Sequence, residues 1–281
     1  MRMSLAALLV AAPILAAAGT VGLSSARTEA DIAAHAAKVQ ETARTALPPA
    51  LDPVTLATLP PPVQAYFRFT FPQPPRPFRT VTLAQEGEFR RPRSEGFAPT
   101  TAEQTIAVGT PALLFAATTP ILPGVWARAY DAFADGRMEM KARILSTVTV
   151  VDERENDALN RMSLRRWLLE SPLYPMALLP GGPVRWESVD ATRARAVVSS
   201  GGLEATLVAT FRPDGSLERF DAEADGDLDT PYHGSGEHVT RTDYRLVDGM
   251  MIPMGFEIAR AAKGERHPFW RGRVTSIAFA P

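Results

Sequence analysis

The chain of 281 residues carries 30 basic and 31 acidic side chains, a formal net charge of −1, and contains no cysteine. The missing thiols exclude disulfides, zinc–thiolate and iron–sulfur centres and a cysteine nucleophile, and the near-neutral charge lacks the basic field that nucleic-acid binding needs. Apolar residues make up 46%, enough for a sizeable core and against disorder.

Met1-Arg2-Met3-Ser4 is followed by an uncharged run from Leu5 to Leu23. A helix over that run spans roughly 28 Å, close to a hydrocarbon core of about 30 Å. Two readings are open. Residues 1–26 are a signal peptide cut near Ala16-Ala17-Ala18 or Ser24-Ser25-Ala26, or they are a retained membrane anchor. Both place the body outside the cytoplasm, in the periplasm or beyond, because Arg2 stays inside. Thr28 to Leu47 reads as a helix with Ile32, Ala36, Val39, Ala43 and Ala46 on one stripe. Pro48-Pro49 ends it. Residues 27–58 are therefore expected to be a stalk helix and proline-rich linker, and residues 59–281 a single β-rich domain. Val63 to Phe69 reads as a short helix, and Pro72 to Pro77 as a stiff link.

From residue 79 the apolar period becomes two. Val81, Leu83, Gln85, Gly87 and Phe89 share one face of a strand, and Thr101 to Val108 is a second. Asp135-Gly136, Asp214-Gly215 and Asp248-Gly249 each separate two alternating segments, as hairpin turns do. With Val184 to Val189, Arg193 to Ser199 and Arg271 to Phe279, about ten or eleven antiparallel strands are predicted. Asp157 to Leu179 interrupts them with Leu164, Trp167 and Leu168 at helical spacing and Arg161, Arg165 and Arg166 toward solvent. Pro172 and Pro175 break that helix. The expected class is α+β, mainly antiparallel β: one strongly curved sheet or unclosed barrel whose concave side is covered by helices.

The sequence holds no nucleophile elbow, phosphate-binding glycine loop or H-E-x-x-H zinc motif. His233 and His238 flank Glu237, but on a strand Glu237 and His238 point to opposite faces, so no metal site is expected. The acidic run Asp221, Glu223, Asp225, Asp227, Asp229 reads as a solvated strand face and loop. No cofactor is expected. The candidate lining of an apolar pocket between sheet and helices is Phe115, Trp126, Met138, Met140, Trp167, Tyr174, Trp186 and Trp270.

Several strings resemble an uncharacterised bacterial family, the domain-of-unknown-function group numbered 6544, with 6920 a related group. They are Leu59-Pro60-Pro61-Pro62-Val63-Gln64-Ala65-Tyr66, Gln85-Glu86-Gly87-Glu88-Phe89, Thr101-Ala102-Glu103-Gln104, Asp131 with Asp135-Gly136-Arg137-Met138, Tyr174 through Pro180, Val184-Arg185-Trp186-Glu187, Asp243-Tyr244-Arg245 with Val247-Asp248-Gly249, and Phe269-Trp270-Arg271-Gly272. The resemblance covers residues 59–280. This chain departs from it at Leu114-Phe115 and near Tyr232-His233, where the family tends to have tryptophan. The resemblance implies one continuous domain and supplies no catalytic residues. The curved sheet is also similar in class to lipoprotein-localisation carriers. The resulting expectation is a membrane-anchored or exported protein that binds a lipid or other apolar small molecule without catalysis, and no nucleic acid. Two alternatives stand beside it. One is an envelope hydrolase using Glu103, Asp131 and Glu187, polar residues chosen from the family strings. The other is a structural or interaction module on a stalk.

Overall fold

A computed structural model describes residues 5–91, 94–228 and 236–281, with side chains from Pro13 onward. Thirteen strands form one antiparallel sheet. In chain order they are β1 (Thr80–Arg90), β2 (Phe97–Ala107), β3 (Ala112–Leu122), β4 (Val125–Ala134), β5 (Arg137–Ile144), β6 (Val148–Arg154), β7 (Val184–Ser188), β8 (Arg193–Ser200), β9 (Leu203–Phe211), β10 (Leu217–Asp221), β11 (Glu237–Val247), β12 (Met250–Ala262) and β13 (Glu265–Ala280). Their spatial order is β6-β5-β4-β3-β2-β1-β13-β12-β11-β10-β9-β8-β7. Two meanders, β1–β6 and β7–β13, are thus joined where the first strand pairs with the last. β6 and β7 are left as the edges, so the sheet does not close on itself.

The helices are α1 (Leu5–Ala43), α2 (Pro53–Leu56), α3 (Pro61–Thr70) and α4 (Asp157–Glu170). The helix α4 starts where Asn156 caps it, its Oδ1 accepting from the Leu159 N–H at 3.0 Å. It stops before Pro172, and the chain continues in two 3₁₀ turns, Ser171–Leu173 and Pro175–Leu178. An N-cap of this kind contributes about 1 kcal/mol. Asn156→Ala is therefore expected to lower the stability by about that amount. A urea titration would show a lower midpoint with an unchanged slope.

This helix packs against β8 and β9 on one arm and against β3, β4 and β5 on the other. In a flat sheet β3 and β9 would be seven strand spacings apart, about 34 Å. One helix is only about 10 Å across. The sheet must therefore wrap around α4. The concave face, set by the strand registers, carries Val81, Leu83, Ala102, Ile106, Leu113, Phe133, Met138, Leu207, Phe220, Ile252 and Val274 in one continuous core with Leu164, Trp167, Leu168, Tyr174 and Leu178. The helix α3 closes the same face over β8 and β12 with Val63, Tyr66 and Phe67.

The alanine stripe of the N-terminal helix faces the opposite side of the sheet. Ile32, Val39 and Ala43 of α1 form a second apolar cluster with Ala107, Ala112, Leu114, Ala116, Tyr130 and Ala132. Polar groups fix its seat. Glu29 receives two hydrogen bonds from Arg128, at 2.8 and 2.9 Å, and Thr28 accepts one from Arg143 at 2.8 Å. Pro13 lies inside this helix without interrupting it. Among the described residues no helix is long and apolar enough to cross a membrane. The expected anchor, residues 5–23, falls partly on positions 1–12, whose side chains lie outside the described set.

Several local expectations change. Two strands were not anticipated: β3, whose run Ala112–Leu122 is apolar on both faces because α1 and the main core cover it from either side, and the edge strand β6. The strand face expected over Asp221, Glu223 and Asp225 stops at its first member, since β10 ends at Asp221. The Asp-Gly pairs at 135–136 and 248–249 both take positive φ, whereas in the middle turn only Gly215 does. A fourth hairpin of the same form, unread in the sequence, turns at Lys263-Gly264 with φ of 55° and 79°.

Candidate functional site

On the concave face, the registers β2–β3, β3–β4 and β4–β5 set Gln104, Phe115, Asp131 and Met140 side by side in one row. Asp131 is buried, and Arg166 of α4 reaches down to pair with its Oδ2. The Arg166 guanidinium also lies over the Phe115 ring, 4.4 Å from its centroid. The neighbouring Arg165 faces the other arm, 3.9 Å from the Glu237 carboxylate of β11. Across β11–β12, Glu237 is paired with Arg260, whose guanidinium sits 5.2 Å over the Phe269 ring. Two consecutive arginines of one helix thus bridge the two arms of the sheet. This corrects the expectation that Arg165 and Arg166 face solvent. The curvature brings β4 and β11 to either side of α4, so both side chains are largely covered there, 17% and 22% exposed.

The electrostatics of the cluster are unbalanced. Burial pushes the Asp131 carboxyl above its usual range against the pull of Arg166. Burial raises Glu237 too, opposed by Arg165, Arg260 and Arg166 and reinforced by the charge of Asp131. Arg260 has no carboxylate within ion-pair distance among the described residues. Several buried polar atoms around the cluster have no hydrogen-bond partner among the described residues: Asp131 Oδ1, Glu237 Oε2, Gln104 Oε1, Arg165 Nε, Arg260 Nε and Trp270 Nε1. Such atoms cost about 1–3 kcal/mol each when left unpaired. Their convergence on one face marks a place prepared for polar contact.

The other residues singled out from the sequence are dispersed. Met138, Trp167 and Tyr174 are core: Trp167 Nε1 donates to the Ala107 carbonyl at 2.8 Å, and the Tyr174 hydroxyl donates to the Trp167 carbonyl. Trp270 is buried on the concave wall, 5.3 Å from Phe256 and 6.4 Å from Phe89 between ring centroids. Trp186 lies on the far arm, half-buried, and donates to the Leu178 carbonyl at 2.9 Å.

Trp126 and Glu103 are on the convex side. They line an open groove of about 470 Å³ between α1 and β1–β4, together with Ser25, Glu29, Glu86 and Arg128. Glu187 stands at the rim of the other arm, paired with Arg195 at 3.1 Å. The three carboxylates Glu103, Asp131 and Glu187 therefore share no cleft. His238 binds Asp221, 2.7 Å away, and no group of three or more His, Cys, Asp or Glu side chains among the described residues is placed to hold a metal. His233, Tyr232 and Asp229 lie outside the described residues.

Arg165, Arg166, Glu237 and Arg260 were not among the sequence-derived candidates. One signal for Arg260 was available. It has the same strand parity as Met250, Ile252, Met254, Phe256 and Ile258, which places a guanidinium on an apolar face. For β11 the informative parity was Glu237, Val239 and Arg241, the last two buried.

Comparison with known proteins adds family membership. Residues 57–279 match a family of unknown function, DUF6920, the second of the two groups that the sequence strings resemble. Among curated proteins, none matches the chain. Among solved structures, a LolA superfamily protein, NE2245 of Nitrosomonas europaea, is similar at 8% identity and a TM-score of 0.33, covering 78% of this chain and 92% of that one. A beta-barrel-like protein of the domain of unknown function DUF1849, from Brucella abortus, is similar at 9% identity and a TM-score of 0.27, covering 73% and 99%. At these scores neither bears on function. The matched span takes in α3, α4 and every strand to within the last residue of β13, and the chain belongs to the DUF6920 family of unknown function.

Proposed function

We propose that the protein binds an apolar or amphipathic ligand, lipid in class, on the concave face of its curved sheet, and that residues 5–23 hold it at a membrane with the body outside the cytoplasm. One observation carries the binding reading. An otherwise apolar wall of Phe89, Phe115, Met140, Phe256 and Trp270 contains buried polar atoms without partners, Gln104 Oε1 and Trp270 Nε1 among them. A ligand with a long apolar part and a polar end satisfies both features at once. The half-buried Met140 and Phe115 can adjust to chains of different shape. On the concave side the helices lie chiefly against β3–β5, β8, β9 and β12, while α1 covers β2–β4 from the convex side. Val81, Leu83, Ala102, Ile106 and Val274 of β1, β2 and β13 are buried in the core, so the ligand's seat is best supported at the partly buried Phe89, Phe115, Met140 and Phe269.

Dispersal of Glu103, Asp131 and Glu187 over both faces and both arms removes the support for a hydrolase built on those three.

The test uses the full-length protein. It is extracted gently from membranes, examined by native mass spectrometry, and titrated with the neutral probe N-phenyl-1-naphthylamine. The expected result is a co-purified lipid-sized mass and saturable probe binding that lipid competes away. Absence of both would overturn the binding reading. Recovery of the intact chain in the soluble fraction would overturn the anchor.

A further inference from the structure

We propose that the ligand is an amphiphile with a single anionic head group, a carboxylate or a phosphate ester, and that Arg260 is its counter-charge. The inference rests on the binding reading above and deepens it.

Charge is the first support. Three guanidiniums, of Arg165, Arg166 and Arg260, meet two carboxylates, of Asp131 and Glu237. Arg166 is committed to Asp131, and Glu237 is shared between Arg165, 3.9 Å away, and Arg260 across the β11–β12 register, so among the described residues the cluster holds one guanidinium more than it has carboxylates. A guanidinium left so in a partly buried place is costly unless an anion joins it. Its aromatic neighbour Phe269 offers only a weaker contact.

Donor geometry is the second. The Nε atoms of Arg165 and Arg260 and the indole Nε1 of Trp270 are donors without acceptors among the described residues. Guanidinium and indole N–H groups never accept. An acceptor-rich group, as carboxylate and phosphate oxygens are, completes these three donors, although it leaves the unpaired acceptors Gln104 Oε1, Asp131 Oδ1 and Glu237 Oε2 unserved.

Position is the third. Arg260 lies near the end of β12, past Phe256 and Ile258 on the same face, with Trp270 across the β12–β13 register from Ile258. A head group at Arg260 leaves its tail to run back along Ile258, Phe256 and Phe89. The apolar and charged parts of the wall are in the sequence that an acid-headed chain requires.

Competition against N-phenyl-1-naphthylamine separates this from the more general reading. The competitors are oleate, methyl oleate and oleoyl lysophosphatidate, which share the tail and differ at the head. Oleate is expected to displace the probe at a concentration about tenfold lower than methyl oleate, the scale of one charge-assisted contact. The lysophosphatidate arm tells a phosphate preference from a carboxylate one. Arg260→Gln should erase the advantage of the acids over methyl oleate, each compared within the same variant, and Arg260→Lys should keep part of it. Circular dichroism confirms that each variant is folded. Equal displacement by oleate and methyl oleate, or an undiminished preference in R260Q, would overturn the head-group proposal while the apolar binding reading stands. Failure of probe and oleate alike to bind would overturn both.

Discussion

Gly87→Val is expected to be among the most damaging single substitutions in the chain, abolishing cooperative folding or lowering stability by more than about 4 kcal/mol. The reason is where β1 meets β13. A Cβ on Gly87 would stand 2.1 Å from the Arg271 carbonyl oxygen and 2.7 Å from the Gly272 Cα. The converse holds for Gly272, whose Cβ would meet the Glu86 carbonyl oxygen at 2.2 Å. The two glycines face each other across the register. The obstructing atoms are backbone, so no side chain can swing aside, and the strands themselves would have to part. Parting them has more than local consequences, because within the sheet the pairing of β1 with β13 is what joins the two meanders. Typical domains are stable by only about 5–15 kcal/mol, so a loss of this size is a large fraction of the whole. Thermal unfolding followed by circular dichroism checks it, with Gly96→Ala as the control. Gly96 has nothing within 4 Å of its would-be Cβ. A cooperative transition in G87V within a few degrees of the parent would show that the seam tolerates the insertion.

Much of this architecture was legible as period and punctuation. Alternation along Val81–Phe89 and Met250–Ile258, with Asp-Gly pairs between segments, announces antiparallel hairpins because a side-chain period of two and a positive φ admit few other arrangements. The strand β3 was not legible for the opposite reason. Both of its faces are buried, one against α1 and one in the main core, so alternation is absent from its apolar run. The site was less legible than the fold. Asp131 was reached only through a family string, and its partner Arg166 reads as a solvent residue on a helix considered alone. What turns Arg165 and Arg166 inward is the wrapping of two arms around α4. That is a property of thirteen strands together and of no local segment. The aromatic residues were found but their roles were not separable by type. Trp167 and Trp186 satisfy their indole N–H within the protein, while Trp270 finds no acceptor among the described residues.

The second large effect is expected at Arg241, which is 0% exposed and pairs with Glu170, 1% exposed, at 3.2 Å. Arg241 also donates to the Leu169 carbonyl at 3.0 Å, so one guanidinium pins the end of α4 onto β11. Arg241→Met keeps much of the side chain's volume but strands the Glu170 charge in the core. Breaking a buried pair from one side in this way costs about 3–5 kcal/mol. Glu170→Leu alone strands the guanidinium instead and should cost a similar amount. The double variant R241M/E170L removes both charges, and the sum of the single losses should exceed its loss by about 2–3 kcal/mol. Denaturant titration of the four proteins yields this coupling directly. A coupling near zero would mean that the pair's attraction is offset elsewhere, with the Leu169 contact as the larger tie. The sign matters for how the site is held. Arg241 follows Glu237 by four residues on β11, and Glu170 follows Arg166 by four on α4. The strand and helix that present Glu237 and Arg166 to the concave interior are therefore fixed to each other by a buried ion pair one step behind them. A protein weakened at this tie but still folded should bind the neutral probe with lower affinity, because the wall and the helix beside it would no longer keep a single spacing.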